Sequence, residues 1–278
     1  MKKLVLLFVA GLISTALTAQ NLPQPSPSGK LEQKVGLTDI TIAYSRPSVK
    51  GRTIFGDLLD YDKIWRLGAN ACTKITCSTD MKIGGATVKA GTYAMFAIPS
   101  EKSEWTIIFN TDTEQWGAGN YDEAKNVATV KVKAMAHPMT ETFTIGIENI
   151  TNSGADISIV WEKVKINVPF TVNTQEIVMS SIDAAIKKGE DLDKVYYKAA
   201  SYAFKTLGES EKAMSYLEES IGVKKTHNSL FLKAQILKKD GKKDEAIKAA
   251  TEALEMAKAA EKKGWADYIA GYIEEWKK

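Results

Sequence analysis

Pro169 is the last proline in a chain of 278 residues, and the other six all precede it. Proline removes a backbone donor and clashes with the preceding turn, so it is excluded from helix interiors. Only the stretch beyond 169 is therefore free to build a run of uninterrupted helices. There Ala, Lys, Glu and Leu take over, with apolar residues at helical spacing through about 174–188, 191–206, 209–221, 227–239, 242–260 and 264–277. Gly189, Gly208, Gly222, Gly241 and Gly264 stand at the breaks, where helix C-termini favour glycine.

Before Pro169 the pattern has period two. Ile40, Ile42 and Tyr44 alternate with Thr41 and Ala43, and similar runs recur near 72–79, 92–98, 104–110, 127–134, 141–148 and 156–168. Gly84-Gly85, Gly91, residues 110–119 and residues 152–154 punctuate them. Short strands without intervening helices predict an antiparallel β-sandwich, or a barrel-like closure of one, over residues 30–172. An all-α domain of helical hairpins follows over 173–278. In that second part, Ser201, Phe204, Gly208, Ala213, Leu217 and Ser220 recur 33 residues later as Ala234, Leu237, Gly241, Ala246, Ala250 and Ala253. Small residues around a central glycine at nearly the usual period of about 34 resemble tetratricopeptide-type hairpins.

The N-terminus reads as an export signal. Lys2 and Lys3 precede the apolar run Leu4–Ile13 and the small residues of STALTAQ, with cleavage expected near Ala19 or Gln20. Residues 1–20 are thus assigned to a signal peptide and 21–29, with three prolines, to an extended leader. The expected location is periplasmic or secreted, with no membrane span in the remaining chain. Without Lys2 and Lys3 the 37 basic side chains nearly balance the 34 acidic ones, which gives no electrostatic footprint for nucleic acid. Cys72 and Cys77 are five apart, so on one strand they face opposite ways with Cα atoms roughly 16 Å apart. That is beyond the ~7 Å a disulfide allows, and two free thiols are expected.

One stretch carries unusual chemistry. Of the 37 basic residues only three are arginine, and Arg46, Arg52 and Arg66 all fall between Tyr44 and Thr73. Confinement of arginine implies a need for its planar fork rather than for charge. In one reading Arg46, Arg52 and Arg66, with Lys50 and Asn70, converge on a carboxylate, phosphate or sulfate, and Trp65 and Tyr44 supply stacking surfaces. In the other, which the length of the loop favours, the guanidinium groups tie its backbone carbonyls and pair with Asp57, Asp60, Asp62 or Glu162. Trp116 and Tyr121, in the glycine-rich loop EQWGAGNYD, form either a ligand rim or a plug over the sandwich end.

Catalytic signatures are missing from the sequence. It has no GxSxG elbow and no helix with paired histidines, and 48–53 has its Lys before the Gly, unlike a phosphate loop. His137 and His227 have no second ligand at metal spacing, and DLLDYD at 57–62 lacks the glycine and closing glutamate of a calcium loop. No cofactor or metal is expected.

The words YSRPSVKGRTIFG, WRLGANACT, IGGATVKAGTYAMFAIP, EWTIIFN with the following WG and YD, and VWEKVKINVP occur in that order. Over about residues 24–170 they resemble a secreted bacterial family known as domain of unknown function number 2911. The resemblance implies an exported β-rich domain, sometimes followed by a helical repeat, and supplies no reaction, substrate or catalytic residue. In one place the chain departs from it: an acidic residue often follows the family's GAN word, where this chain has Ala71-Cys72. If that acid carries a family activity, this member lacks it. The resulting expectation is a non-enzymatic ligand- or envelope-binding β domain, for an anionic or carbohydrate ligand, with a helical module for a protein partner. The alternative is a hydrolase of envelope glycans or esters using two carboxylates about 5–10 Å apart. A third is a structural protein whose helical repeat is its sole working surface.

Overall fold

A computed structural model describes residues 22–278. The signal-peptide assignment, and Asn21 of the leader, lie outside the described residues. The chain divides between Val172 and Asn173 into two compact units.

The first unit holds nine strands among the described residues: β1 (Ser28–Val35), β2 (Thr38–Ser45), β3 (Thr73–Cys77), β4 (Met81–Ile83), β5 (Ala86–Val88), β6 (Gly91–Ile98), β7 (Glu104–Asn110), β8 (Asn126–Glu148) and β9 (Gly154–Val172). All pair antiparallel, in the order β1-β2-β3-β6-β7-β8-β9-β4-β5. The sheet is open but folded, because β8 serves two ladders. Its residues 126–133 pair with β7, and 134–148 pair with β9. The fold is laced where the chain beyond β2 meets β8: Val49 N–H donates to Glu141 O at 2.8 Å and Phe143 N–H to Pro47 O at 2.9 Å. Between the two halves lies one apolar core. It takes Ile40, Ile42, Ile75, Met95, Ile107 and Phe109 from one side and Ile83, Ile145, Ile157, Trp161 and Val168 from the other.

Two strand expectations need correction. Residues 127–134 and 141–148 belong to one strand of 23 residues, not two. Pro138 falls where the register slips between Ala136 and Thr140, at a bulge that tolerates its missing donor and bends the strand without ending it. Between the strands expected near 72–79 and 92–98 lies a further small hairpin, β4–β5, whose turn is Gly84-Gly85 with φ of 58° and 86°. The 46–72 connection contains no helical turn.

The second unit holds α1 (Thr174–Lys188), α2 (Leu192–Tyr202, continued by a π turn over Ala203–Leu207), α3 (Ser210–Val223), α4 (His227–Lys239), α5 (Lys243–Ala259) and α6 (Lys263–Lys277). Members of both repeated sets, joined in the first by Ala200 and Ala203, are contacts of two hairpins. Ala200, Ala203, Ala213 and Leu217 close α2 on α3, and Ala234, Ala246, Ala250 and Ala253 close α4 on α5. Side chains this small let helix axes approach closely. Thr226 and Ser229 cap α4 reciprocally. Gly189, Gly208 and Gly241 end helices in left-handed geometry, with φ of 78°, 74° and 80°. Gly222 and Gly264, expected at breaks, lie inside α3 and the first turn of α6.

Candidate functional site

The three arginines have different fates. Arg46 Nε donates to Phe143 O at 3.2 Å and its Nη2 to Thr144 Oγ1 at 2.9 Å, clamping the end of β2 to β8. Arg52 folds back on its own loop, donating to Val49 O at 2.9 Å and Ser48 O at 2.6 Å. Both meet carbonyl oxygens, as the inward reading expects. Neither pairs with Asp57, Asp60, Asp62 or Glu162, since every ion pair found among the described residues uses lysine. Two of the three guanidinium groups are therefore committed to the protein's own oxygens. Lys50 is exposed with φ of 51°, and its backbone N–H donates to Glu141 Oε1 at 2.9 Å.

Trp65 is core, not a stacking platform. It is 4% exposed and stacks on Trp161 at 5.9 Å, with Phe143 and Phe55 edge-on at 5.3 and 6.1 Å. Its Nε1 donates to Gly68 O at 3.1 Å, and its backbone exchanges two 2.7 Å bonds with Ala97. Tyr44 is likewise buried, its hydroxyl bonded to the backbone of Ile145.

With Trp65 pointing into the core, extended-chain alternation turns Ile64 and Arg66 to the other side. Ile64 there joins a smaller cluster of Cys72, Phe96, Ile108, Ala118 and Tyr121. The Arg66 side chain has no hydrogen-bond or carboxylate partner among the described residues, although its Nε is wholly buried; the Arg66 carbonyl accepts from Thr73 N–H at 3.2 Å. Burial pushes its pKa down. Nearby in the chain, the 69–72 turn joins the 113–117 loop through a bridge between Ala71 and Trp116. Cys72 N–H donates to Gln115 O at 3.0 Å, and Gly117 N–H to Asn70 O at 3.3 Å. Asn70 Nδ2 reaches Ser26 O and Ser45 Oγ. Trp116 is 75% exposed at this junction, whereas Tyr121 packs on Phe96 at 5.3 Å and accepts a hydrogen bond from Asn126. Tyr121 thus plugs the loop onto the small cluster, while Trp116 stands in solvent. Sequence reasoning passed over Gln115, 5% exposed with an unpartnered Oε1, because nothing in its neighbours marks it as buried. A cavity of about 190 Å³ under Phe55, Tyr61 and Trp105 is lined by none of the arginines.

Cys77 faces the main core with Ile75 and Cys72 the smaller cluster; both are free, buried thiols whose pKa burial raises. No aspartate or glutamate is buried among the described residues, so the facing buried acids of the hydrolase alternative are not found there. The carboxyls that shift are all held low by lysines, Glu148 by its 2.6 Å bond from Lys165. A lowered folded-state pKa contributes stability above the unfolded value, near 4.3 for glutamate. Unfolding free energy should therefore decline as pH falls through that value toward the folded one. Glu148→Gln should flatten the decline in denaturant titrations between pH 7 and 3, and an unchanged slope would remove Glu148 from the account.

On the helical unit, Trp265, Tyr268, Tyr272 and Trp276 form one stripe of α6 around Phe231 of α4, whose ring stacks on Trp276 at 6.2 Å. Trp265 and Tyr268 are exposed, beside a cavity of about 460 Å³ lined also by Lys262 and Lys263. The three-and-four spacing of these aromatics along α6 is the signal by which the sequence marks the stripe.

Residues 193–227 and 227–259 match the tetratricopeptide repeat. Neither the curated proteins nor the solved structures give a match to the chain. Residues 26–170, over half the chain, match the family described as "Protein of unknown function (DUF2911)", and to that family this chain belongs.

Proposed function

We propose that this is an extracytoplasmic, non-enzymatic binding protein. Its β unit receives an anionic group at Arg66, and its helical repeat engages a protein partner. The observation that carries the reading is the unpartnered, half-buried guanidinium of Arg66. A charge withdrawn from water without a counter-charge is destabilising. Its retention where Arg46 and Arg52 each donate two bonds to the protein's own oxygens is accounted for by an incoming carboxylate, phosphate or sulfate. Asn70 and Trp116, on the turns that meet at the Ala71–Trp116 bridge, supply a polar and aromatic rim for the rest of the ligand, with Tyr121 packed behind them on Phe96. The export signal at 1–20 supports the location. Tetratricopeptide hairpins support the partner, and the exposed Trp265–Tyr268 face offers apolar surface for it.

The test is thermal and calorimetric titration with inorganic phosphate, sulfate, citrate and glucuronate. A binding anion at 100 times its Kd stabilises by about 2.7 kcal/mol. Arg66→Met should abolish that gain while leaving the unliganded protein as stable or more so, because an uncompensated charge is removed. Arg46→Lys should do the opposite, losing about 1–2 kcal/mol of stability but keeping the response. A response that survives Arg66→Met, or none to any probe, overturns the reading.

A further inference from the structure

The bulge in β8 contains His137-Pro138-Met139, and Met135-Ala136 lead into it as the last paired residues of the ladder before it. Methionine is ordinarily a core residue, and Met81 and Met95 are here 1% and 0% exposed. Met135 and Met139 instead stand 41% and 52% exposed, two residues either side of a histidine.

The histidine is already oriented. His137 Nδ1 lies 2.8 Å from Pro138 O. A carbonyl oxygen only accepts, so Nδ1 carries the proton, and in the neutral ring the lone pair is left on Nε2. A backbone carbonyl fixing the remote nitrogen is the usual second partner of a metal-bound imidazole. Thr140 Oγ1, bonded to the same carbonyl at 3.2 Å, holds that oxygen in place.

The backbone leaves room for convergence. From Ala136 to Thr140, β8 advances four residues while β9 retreats two, from Val164 to Glu162, so residues 137–139 bow out of the ladder. Cα atoms two apart on an extended chain are about 7 Å from each other. An unbranched methionine side chain with three rotatable bonds spans that gap from either side. Met135 pairs across the sheet with Lys165, whose charge is met by Glu148 at 2.6 Å.

Two thioethers and one imidazole make a neutral, soft donor set, which suits Cu(I) and excludes hard ions such as calcium and magnesium. We propose that Met135 Sδ, His137 Nε2 and Met139 Sδ form a Cu(I)-binding site. It is separate from Arg66 and does not depend on the anion reading. Among the described residues no three His, Cys, Asp or Glu side chains converge, so the thioethers are essential to this donor set.

The experiment uses the purified chain, Ag(I) as a redox-inert probe observed through methyl-¹³C methionine signals, and Cu(I) in competition with a chromophoric chelator. One equivalent of Ag(I) should move two methionine methyl resonances, those missing from the spectra of Met135→Leu and Met139→Leu. Each of these variants, and His137→Gln, should weaken Cu(I) binding by at least about tenfold, the scale on which even an outer-shell loss weakens a metal site. Both methionines are exposed, so unchanged circular dichroism of the leucine variants is expected and shows that a loss is local. Methyl signals of Met135 and Met139 that stay still at one equivalent overturn the proposal. So does Cu(I) affinity unchanged in both leucine variants, which would place the metal on Cys72 or Cys77.

Discussion

Trp65→Ala is expected to remove about 3–5 kcal/mol from the stability of the β unit, the range for deleting a large buried aromatic. Three effects combine. The indole fills the space between Trp161, Phe143 and Phe55, so its loss leaves a cavity that three rings can close only by moving together. Its Nε1 bond to Gly68 O is the tie between the core and the turn that follows, and that buried carbonyl would lose its donor. The two backbone bonds to Ala97 remain available but would hold a loop no longer anchored at its centre. Against a typical total of about 5–15 kcal/mol, a loss of this size leaves a marginal fold. Denaturant unfolding followed by far-ultraviolet circular dichroism measures it. Trp65→Phe, which keeps most of the packing and loses the bond, should fall between. A change under about 1 kcal/mol for the alanine variant would mean the loop is held elsewhere.

Gly68→Ala is the second large effect, at least about 2 kcal/mol. Gly68 has φ of 135°, a conformation costly to any L side chain, and an added Cβ would lie 2.8 Å from Ser45 O, a backbone atom that cannot swing aside. Gly117→Ala is the internal control. Its φ of 94° carries the conformational penalty alone, with nothing within 4 Å of the new methyl group. The difference between the two midpoints isolates the steric part. Equal losses would show that the approach to Ser45 is relieved at little cost.

These two sites show what the family words encode. Tyr44, Arg46, Val49, Arg52, Phe55, Trp65, Leu67 and Gly68 all serve to lay a long connection onto a folded sheet. Leu67, 0% exposed with φ of 51°, holds a strained backbone for the same purpose. The division at Pro169, the helix spans and most strands were legible because they rest on local periodicity and on glycine and proline chemistry. The arginines were not separable in that way. Arg46 and Arg66 look alike in sequence, and what distinguishes them is a carbonyl at Phe143, 97 residues away along the chain. Trp65 and Trp116 pose the same problem: each sits in a glycine-rich loop, and only the tertiary fold puts one among aromatic rings and leaves the other 75% exposed. The single long β8 was hidden for a related reason, since its bulge carries the composition of a turn while its backbone continues as strand.

Cys72 and Cys77 sit back to back across the sheet, each thiol buried under a different layer of side chains. In the native state that wall keeps them from each other and from oxidants. In an unfolded chain the same five-residue separation becomes an asset to closure, because a short flexible loop brings its ends together readily. An oxidant then acts as a ratchet. Each global opening can be captured as a small covalent ring incompatible with β3, and refolding from it is blocked. Where reclosing outpaces thiol oxidation, the lifetime of this protein under oxidising conditions is therefore set by the fraction of time it spends open, so that a loss of stability shortens it in proportion.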